Sequence, residues 1–144
     1  MTVTPIPIDK FILFLDELIK EFFNHDYMQY SMFGKVAAKF ALSPDGPYKS
    51  YMLSKDIKPF VELILPKLYS TYFDKGEVTA RLEDNVAHIT VKGLPLKHNY
   101  FEYLLMGYFQ KALGILGKKG VCNRTKSLAS GDDQIYCTYT LTNF

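Results

Sequence analysis

Cysteine and arginine are both scarce in this chain of 144 residues. The two cysteines, Cys122 and Cys137, fall in separate expected strands, and neither a CxxC pair nor a Cys/His ligand spacing occurs. No metal site is therefore expected. The expected state is two free thiols in a reducing compartment. Of the 17 basic residues only Arg81 and Arg124 are arginine, the lysines are spread along the whole chain, and the net charge is +2. Arginine is the commonest reader of base edges, and a thin, even charge is a solvated surface rather than a nucleic-acid footprint. Long apolar runs are missing too. "FILFLDELIKEFF" is interrupted by Asp16, Glu17 and Lys20 and is too short and charged to span a bilayer. The opening "MTVTPIPIDK" has no basic region ahead of a small-residue cleavage site, so no export signal is expected and the location is read as cytoplasmic.

What is present is apolar and aromatic: 48% hydrophobic residues, with 11 Phe and 11 Tyr. The length fits a single domain, 1–144, with a helical half over about 8–74 and a ββαββ half over about 76–142. Apolar positions 8, 11, 12, 15, 18, 19 and 22 form a helical stripe. A second stripe covers 27–42, where Gly34, Ala37 and Ala38 permit a neighbour's close approach. After the Pro/Gly-marked loop "SPDGPYKS", a third helix is expected over 56–73, kinked near 62–66 by Pro66. The period then changes. "EVTARL" and "VAHITVK" alternate around the turn "EDN", and Ile135, Cys137, Tyr139 and Leu141 share one face of a last strand beyond "ASGDDQ". Between the two hairpins lies a helix over 99–117, opened by the capping-box spacing of Asn99 and Glu102. The expected fold class is α+β: N-terminal helices, then a four-stranded antiparallel sheet packed on a long helix. Gly107 interrupts that helix at a cost of roughly 0.5–1 kcal/mol relative to alanine. Leaving out its side chain lets a strand backbone, a neighbouring helix or a ligand come close.

Three stretches, "VKGLP" at 91–95, the glycine-bearing helix and "SLASGDDQIYCTYTL" at 127–141, resemble the superfamily of bacterial 4-vinyl-reductase domains, haem–NO-binding domains and the small core subunits of the TRAPP tethering complex. The similarity covers about residues 26–142, with Gly93, Ala129, Gly131 and Asp132 as the matching motif residues. The helical half is similar in layout to an uncharacterised bacterial paralogous family placed nearby. Ser127 and Ile135 stand where 4-vinyl-reductase domains carry cysteines. Ala87, Ile89 and Val91 stand where haem–NO-binding domains carry Tyr-x-Ser-x-Arg, so the resemblance implies neither haem nor any other cofactor. It implies a non-catalytic domain, often dimeric, with an apolar pocket between helices and sheet.

The polar residues carry no catalytic pattern. His25, His88 and His98 are separated, and no pair has helical metal-ligand spacing. Asp132 and Asp133 sit in a turn whose backbone N–H groups they satisfy locally. Ser127 and Ser130 lack a nucleophile motif, and "GKKG" lacks phosphate-loop spacing. The informative residues are the tyrosine pairs Tyr27/Tyr30, Tyr48/Tyr51 and Tyr69/Tyr72, whose chemistry suits a core, an interface or a pocket wall. The reading is a non-enzymatic domain that binds a small apolar ligand, with Phe60, Ile64, Tyr72, Tyr103 and Gly107 as pocket candidates. The alternative is a homodimeric interaction scaffold or adaptor whose helical tyrosines meet a protein partner.

Overall fold

The computed structural model describes residues 5–53 and 56–142. Part of the stretch read for an export signal, residues 1–4, lies outside them. Helix α1 (Ile8–Phe22) buries Ile12, Leu15 and Ile19, a stripe from the predicted set. It ends where Asn24 and His25 take positive φ, turning the chain into α2 (Gln29–Ala41). A short 3-10 turn (Lys49–Met52) leads to the third helical stretch.

That stretch is not a simply kinked helix. One α-turn, α3 (Ile57–Pro59), runs into a π-turn over Phe60–Ile64, and α4 (Leu65–Tyr72) completes it. Pro66 has no N–H to give the carbonyl four residues back, and its ring crowds that group. The wider π-turn, in which the Leu65 N–H donates to the Phe60 carbonyl, takes up the mismatch. It also carries Glu62 to the sheet, where Glu62 Oε2 accepts the Leu82 N–H at 3.0 Å. The N–H belongs to an edge strand, so the contact satisfies a donor that would otherwise stay unpaired in the ladder.

Strands β1 (Glu77–Glu83), β2 (Val86–Lys92), β3 (Lys119–Lys126) and β4 (Gln134–Thr142) form an antiparallel sheet in the order β1-β2-β4-β3. The first hairpin turns through Asp84, at positive φ. Its register pairs Val78 with Val91, Ala80 with Ile89 and Leu82 with Ala87, and the last two continue to Cys137 and Tyr139 of β4. The alternation seen in the sequence therefore puts one apolar face against the helices. The other face carries Thr79, Arg81, His88, Thr90, Tyr136 and Thr138, with a hydrogen bond between His88 Nδ1 and the Tyr136 hydroxyl.

Helix α5 (Asn99–Ile115) carries the chain from β2 to β3 at the far edge, across the buried face. Its start departs from the expected capping box. His98 is the cap, its Nδ1 accepting the Phe101 N–H at 3.0 Å. Glu102 is 1% exposed and is committed elsewhere: Oε1 accepts from Arg124 Nη1 and Oε2 from the Ala129 N–H, both at 2.9 Å. Asn99 Oδ1 accepts the other guanidinium nitrogen at 2.9 Å. A carboxylate this deep needs such partners, which leaves none of it for the helix end.

The closest helix contact is between α2 and α5. A Cβ placed on Gly107 would fall on the Ser31 carbonyl, 3.1 Å from its carbon. One placed on Gly34 would stand 2.9 Å from both the Leu104 carbonyl carbon and the Tyr108 nitrogen. Each glycine thus admits the other helix's backbone. Of the three neighbours the sequence left open for Gly107, the structure supplies a helix.

Candidate ligand cavity

An apolar cavity of about 590 Å³ opens among α1, α2, α4 and α5. Helix α1 lines it with Phe11, Leu15 and Leu18, spaced i, i+4, i+7. From α2 come Met32, Phe33, Val36, Ala37 and Phe40, and from α5 Leu104, Leu105, Tyr108 and Phe109. Tyr69, Tyr72 and Phe73 at the end of α4 close the remaining side. Val36 and Phe40 are 58% and 65% exposed, an apolar rim. Among the described residues no lysine, arginine, histidine, aspartate or glutamate lines the wall.

The wall's polar atoms are hydroxyls. Those of Tyr72 and Tyr108 are hydrogen-bonded to each other at 3.0 Å. Burial pushes both phenols above their ordinary range; the mutual bond raises Tyr108 further and lowers Tyr72. Tyr69 donates to the Lys75 carbonyl at 2.8 Å, and burial pushes it up to about 12. All three stay neutral at physiological pH. A hydroxyl pair needs one proton for its own bond and keeps one, so this pair has a single donor to offer an acceptor group.

Helix α1 is held over the cavity by a small polar cluster. Asp16 Oδ1 accepts from the Tyr30 hydroxyl at 2.7 Å and lies 3.8 Å from His98 Nε2. Burial pushes the Tyr30 phenol up, and the bond to Asp16 adds to the shift.

The structure divides the five pocket candidates. Tyr72 lines the cavity. Phe60 and Ile64, both in the π-turn, line a separate, smaller hollow of about 210 Å³ beside Leu63 and Pro59. The Arg124 guanidinium stacks over the Tyr103 ring, 4.9 Å from its centroid, and Gly107 meets α2. Helices α1 and α2 supply half of the wall and were not among the candidates. Their stripes signalled burial without saying against what. The motif residues lie elsewhere. Gly93 and Gly131 take positive φ in turns, and Asp132 Oδ2 accepts the Ser127 N–H at 2.8 Å. Members of the tyrosine pairs pack on other rings: Tyr27 stacks on Tyr100, and Tyr72 contacts both Tyr48 and Tyr108 edge-on.

No protein-family model matches the chain, and no curated protein does. Solved structures do. An H-NOX domain mutant from Shewanella oneidensis in the Fe(II)CO ligation state is 10% identical with a TM-score of 0.79, covering 100% of this chain and 80% of that one. An H-NOX protein from the same organism in the Fe(II)NO state is 11% identical with a TM-score of 0.74, covering 99% and 80%. Subunit 3 of a trafficking protein particle complex from Naegleria fowleri, covalently bound to palmitic acid, is 18% identical with a TM-score of 0.60, covering 94% and 93%. The fold is thus one shared by H-NOX domains and this TRAPP subunit.

The comparisons correct one expectation. The missing Tyr-x-Ser-x-Arg speaks against haem and no cofactor is expected, yet the matching structures include H-NOX domains in defined iron ligation states. The fold is therefore one that holds iron in other proteins, and the missing motif does not by itself exclude a cofactor. Haem iron takes His, Cys, Met or tyrosinate ligands. Of those types the wall holds Met32 and three phenols that burial keeps protonated. Among the described residues it holds no cation to balance an acidic macrocycle. The side chains present do not fit such a group.

Proposed function

We propose that the chain is a ligand-binding or sensory domain whose cavity takes the apolar body of an acyl-like molecule. The carrying observation is the wall itself: aliphatic and aromatic side chains from four helices enclosing about 590 Å³, within the usual range for small-molecule sites. Each methylene that enters contributes about 0.8 kcal/mol. The spare Tyr72/Tyr108 proton suits one acceptor, such as a carbonyl or protonated carboxyl oxygen. A TRAPP subunit of the same fold that holds palmitic acid supports the class of ligand. No cysteine lines the cavity here, so the binding proposed is non-covalent.

The test is displacement of a fluorescent acyl probe from purified protein, alongside native mass spectrometry for a co-purifying mass. Competition should strengthen with chain length until the cavity fills. Ala37→Trp, which fills the cavity from α2, should abolish probe binding. Equal competition by short and long chains, or unchanged binding in Ala37→Trp, would overturn the reading. A homodimeric contact is a second reading, favoured by Leu13, Phe14 and Phe22 on the exposed side of α1, at 64%, 59% and 75% exposure. Sedimentation of a Phe14→Glu variant tests it.

A further inference from the structure

The cavity leaves both cysteines unused, and the sheet register brings them together. Cys122 on the edge strand β3 faces Tyr139, and Cys137 on β4 faces Arg124. The two thiols are therefore diagonal neighbours on one face of an antiparallel pair, near enough for each to act on the other's ionisation. Their exposures differ: Cys122 is half-buried at the edge and Cys137 is buried one strand in. Charged and titratable groups face them from every packed element: Arg124 from β3, Tyr139 from β4 and Glu102 from α5. The Arg124 guanidinium is fixed by Glu102 and Asn99, so its charge is held beside the pair.

We infer that Cys122 and Cys137 form a hydroperoxide-reactive dithiol site, with Cys122 as the attacking sulfur and Cys137 as the resolving one. The Cys122 thiolate attacks a peroxide oxygen, the O–O bond breaks, and the leaving oxygen takes up the proton that the thiol gave away. Cys122 becomes a sulfenic acid. The Cys137 sulfur then attacks the Cys122 sulfur, the S–O bond breaks, and the hydroxyl leaves as water with the Cys137 proton. Two electrons pass from the two sulfurs to the peroxide, and the products are a disulfide, water and the reduced hydroxyl compound. Such oxidation follows thiolate character and access, with a second thiol poised to resolve it. The hydrogen bond from Cys137, opposed by burial and helped by Tyr139 and Arg124, holds the Cys122 thiol down at about 7. The bond to Cys122 and burial push the Cys137 thiol up. The roles are thereby divided between an accessible thiolate and a buried thiol.

Diagonal neighbours stand about 7–8 Å apart at Cα, slightly beyond the reach of a relaxed disulfide. Closing the bond requires a small shift of β3, an edge strand already irregular in register between Arg124 and Lys126. A bond closed that way is readily reduced, which suits a reversible site.

The experiment is hydrogen peroxide treatment of folded protein, followed by peptide mapping and trapping with dimedone. Wild-type protein should give an intramolecular 122–137 disulfide that dithiothreitol reverses. Cys137→Ser should stop at a dimedone-reactive sulfenic acid on Cys122, whereas Cys122→Ser should leave Cys137 unmodified. At pH 7 iodoacetamide should alkylate wild-type Cys122 roughly tenfold faster than an ordinary cysteine, and Cys137→Ala, which removes the donor, should lose most of that advantage. The inference is overturned if wild-type Cys122 reacts no faster than free cysteine, if the disulfides formed are intermolecular, or if Cys137 oxidises in Cys122→Ser. The wild-type measurements decide the matter even where a serine variant folds poorly.

Discussion

Gly107→Ala is the sharpest test of how the helices meet, because two well-measured effects oppose each other there. At an ordinary helix position the change stabilises by roughly 0.5–1 kcal/mol. Here the new methyl would meet the Ser31 carbonyl, with its carbon 3.1 Å away, its oxygen nearer still and Ser31 Oγ at 3.1 Å. Carbon atoms rest at about 3.5–4 Å, so α2 and α5 would have to part by about half an ångström or more along their most intimate contact. The obstacle is backbone, which cannot rotate away. Overpacking of this kind typically costs about 1–3 kcal/mol, so the net expectation is destabilisation by about 1–2 kcal/mol. In urea that moves the unfolding midpoint down by roughly 0.5–1 M at an unchanged slope, read by far-ultraviolet circular dichroism. Gly34→Ala should behave alike, its methyl meeting the backbone of Leu104 and Tyr108. The double variant should cost less than the sum, since helices already parted by one methyl have room for the other. A midpoint that rises in Gly107→Ala, as helix propensity alone requires, would refute the close approach. Strict additivity would refute the shared interface.

Other consequences are open to measurement. Arg124→Met leaves Glu102, 1% exposed, without its cation; breaking a buried pair on one side costs about 3–5 kcal/mol, so this variant should be among the least stable in chemical denaturation. Glu62→Ala removes the acceptor of the Leu82 N–H and should cost about 1 kcal/mol by the same assay. Tyr30, Tyr69, Tyr72, Tyr108 and Tyr139 all have phenols pushed up by burial. Unfolded tyrosines lose their protons near 10, before the folded ones, so the unfolded state binds fewer protons above that pH. Stability should be level with respect to these groups below pH 10 and fall above it. Absorbance at 295 nm should show their ionisation coinciding with alkaline unfolding. The double variant Tyr72→Phe/Tyr108→Phe, which removes both hydroxyls, should reduce affinity for acyl ligands with a carbonyl end by roughly tenfold, about 1.4 kcal/mol, while leaving a plain hydrocarbon unaffected in the displacement assay.

The sheet was legible because alternation has a period of two and each strand keeps one face dry. Val78, Ala80 and Leu82, then Ala87, Ile89 and Val91, stand in the paired register that pattern requires. The third helix was legible only in part. A proline mid-helix announces a disturbance, but a kink and a π-turn answer it equally well in the sequence. The π-turn that forms brings Glu62 to the edge of β1, a contact between residues distant in sequence that no local pattern announces. The cap of α5 was illegible for a similar reason: Glu102 has the right spacing for a capping box, and Arg124 and the Ala129 N–H, both distant in sequence, claim it instead. The cavity was the least legible part. Phe11, Leu15 and Leu18 look like any buried stripe. Apolar side chains facing an empty space and apolar side chains facing one another have the same periodicity.

The paired glycines also bear on how such a cavity changes over generations of sequence. Where two helices are spaced by side chains, altering one residue moves the scaffold as well as the surface. Here the gap between α2 and α5 is set by main chain resting on main chain at Gly34 and Gly107, while Met32, Val36, Leu104 and Tyr108 project from the same two helices into the cavity. The frame and its upholstery are thus governed by different positions. Substitution at the lining residues can re-shape what the cavity accepts without resetting the distance between its walls, so one backbone can house chemically unlike guests.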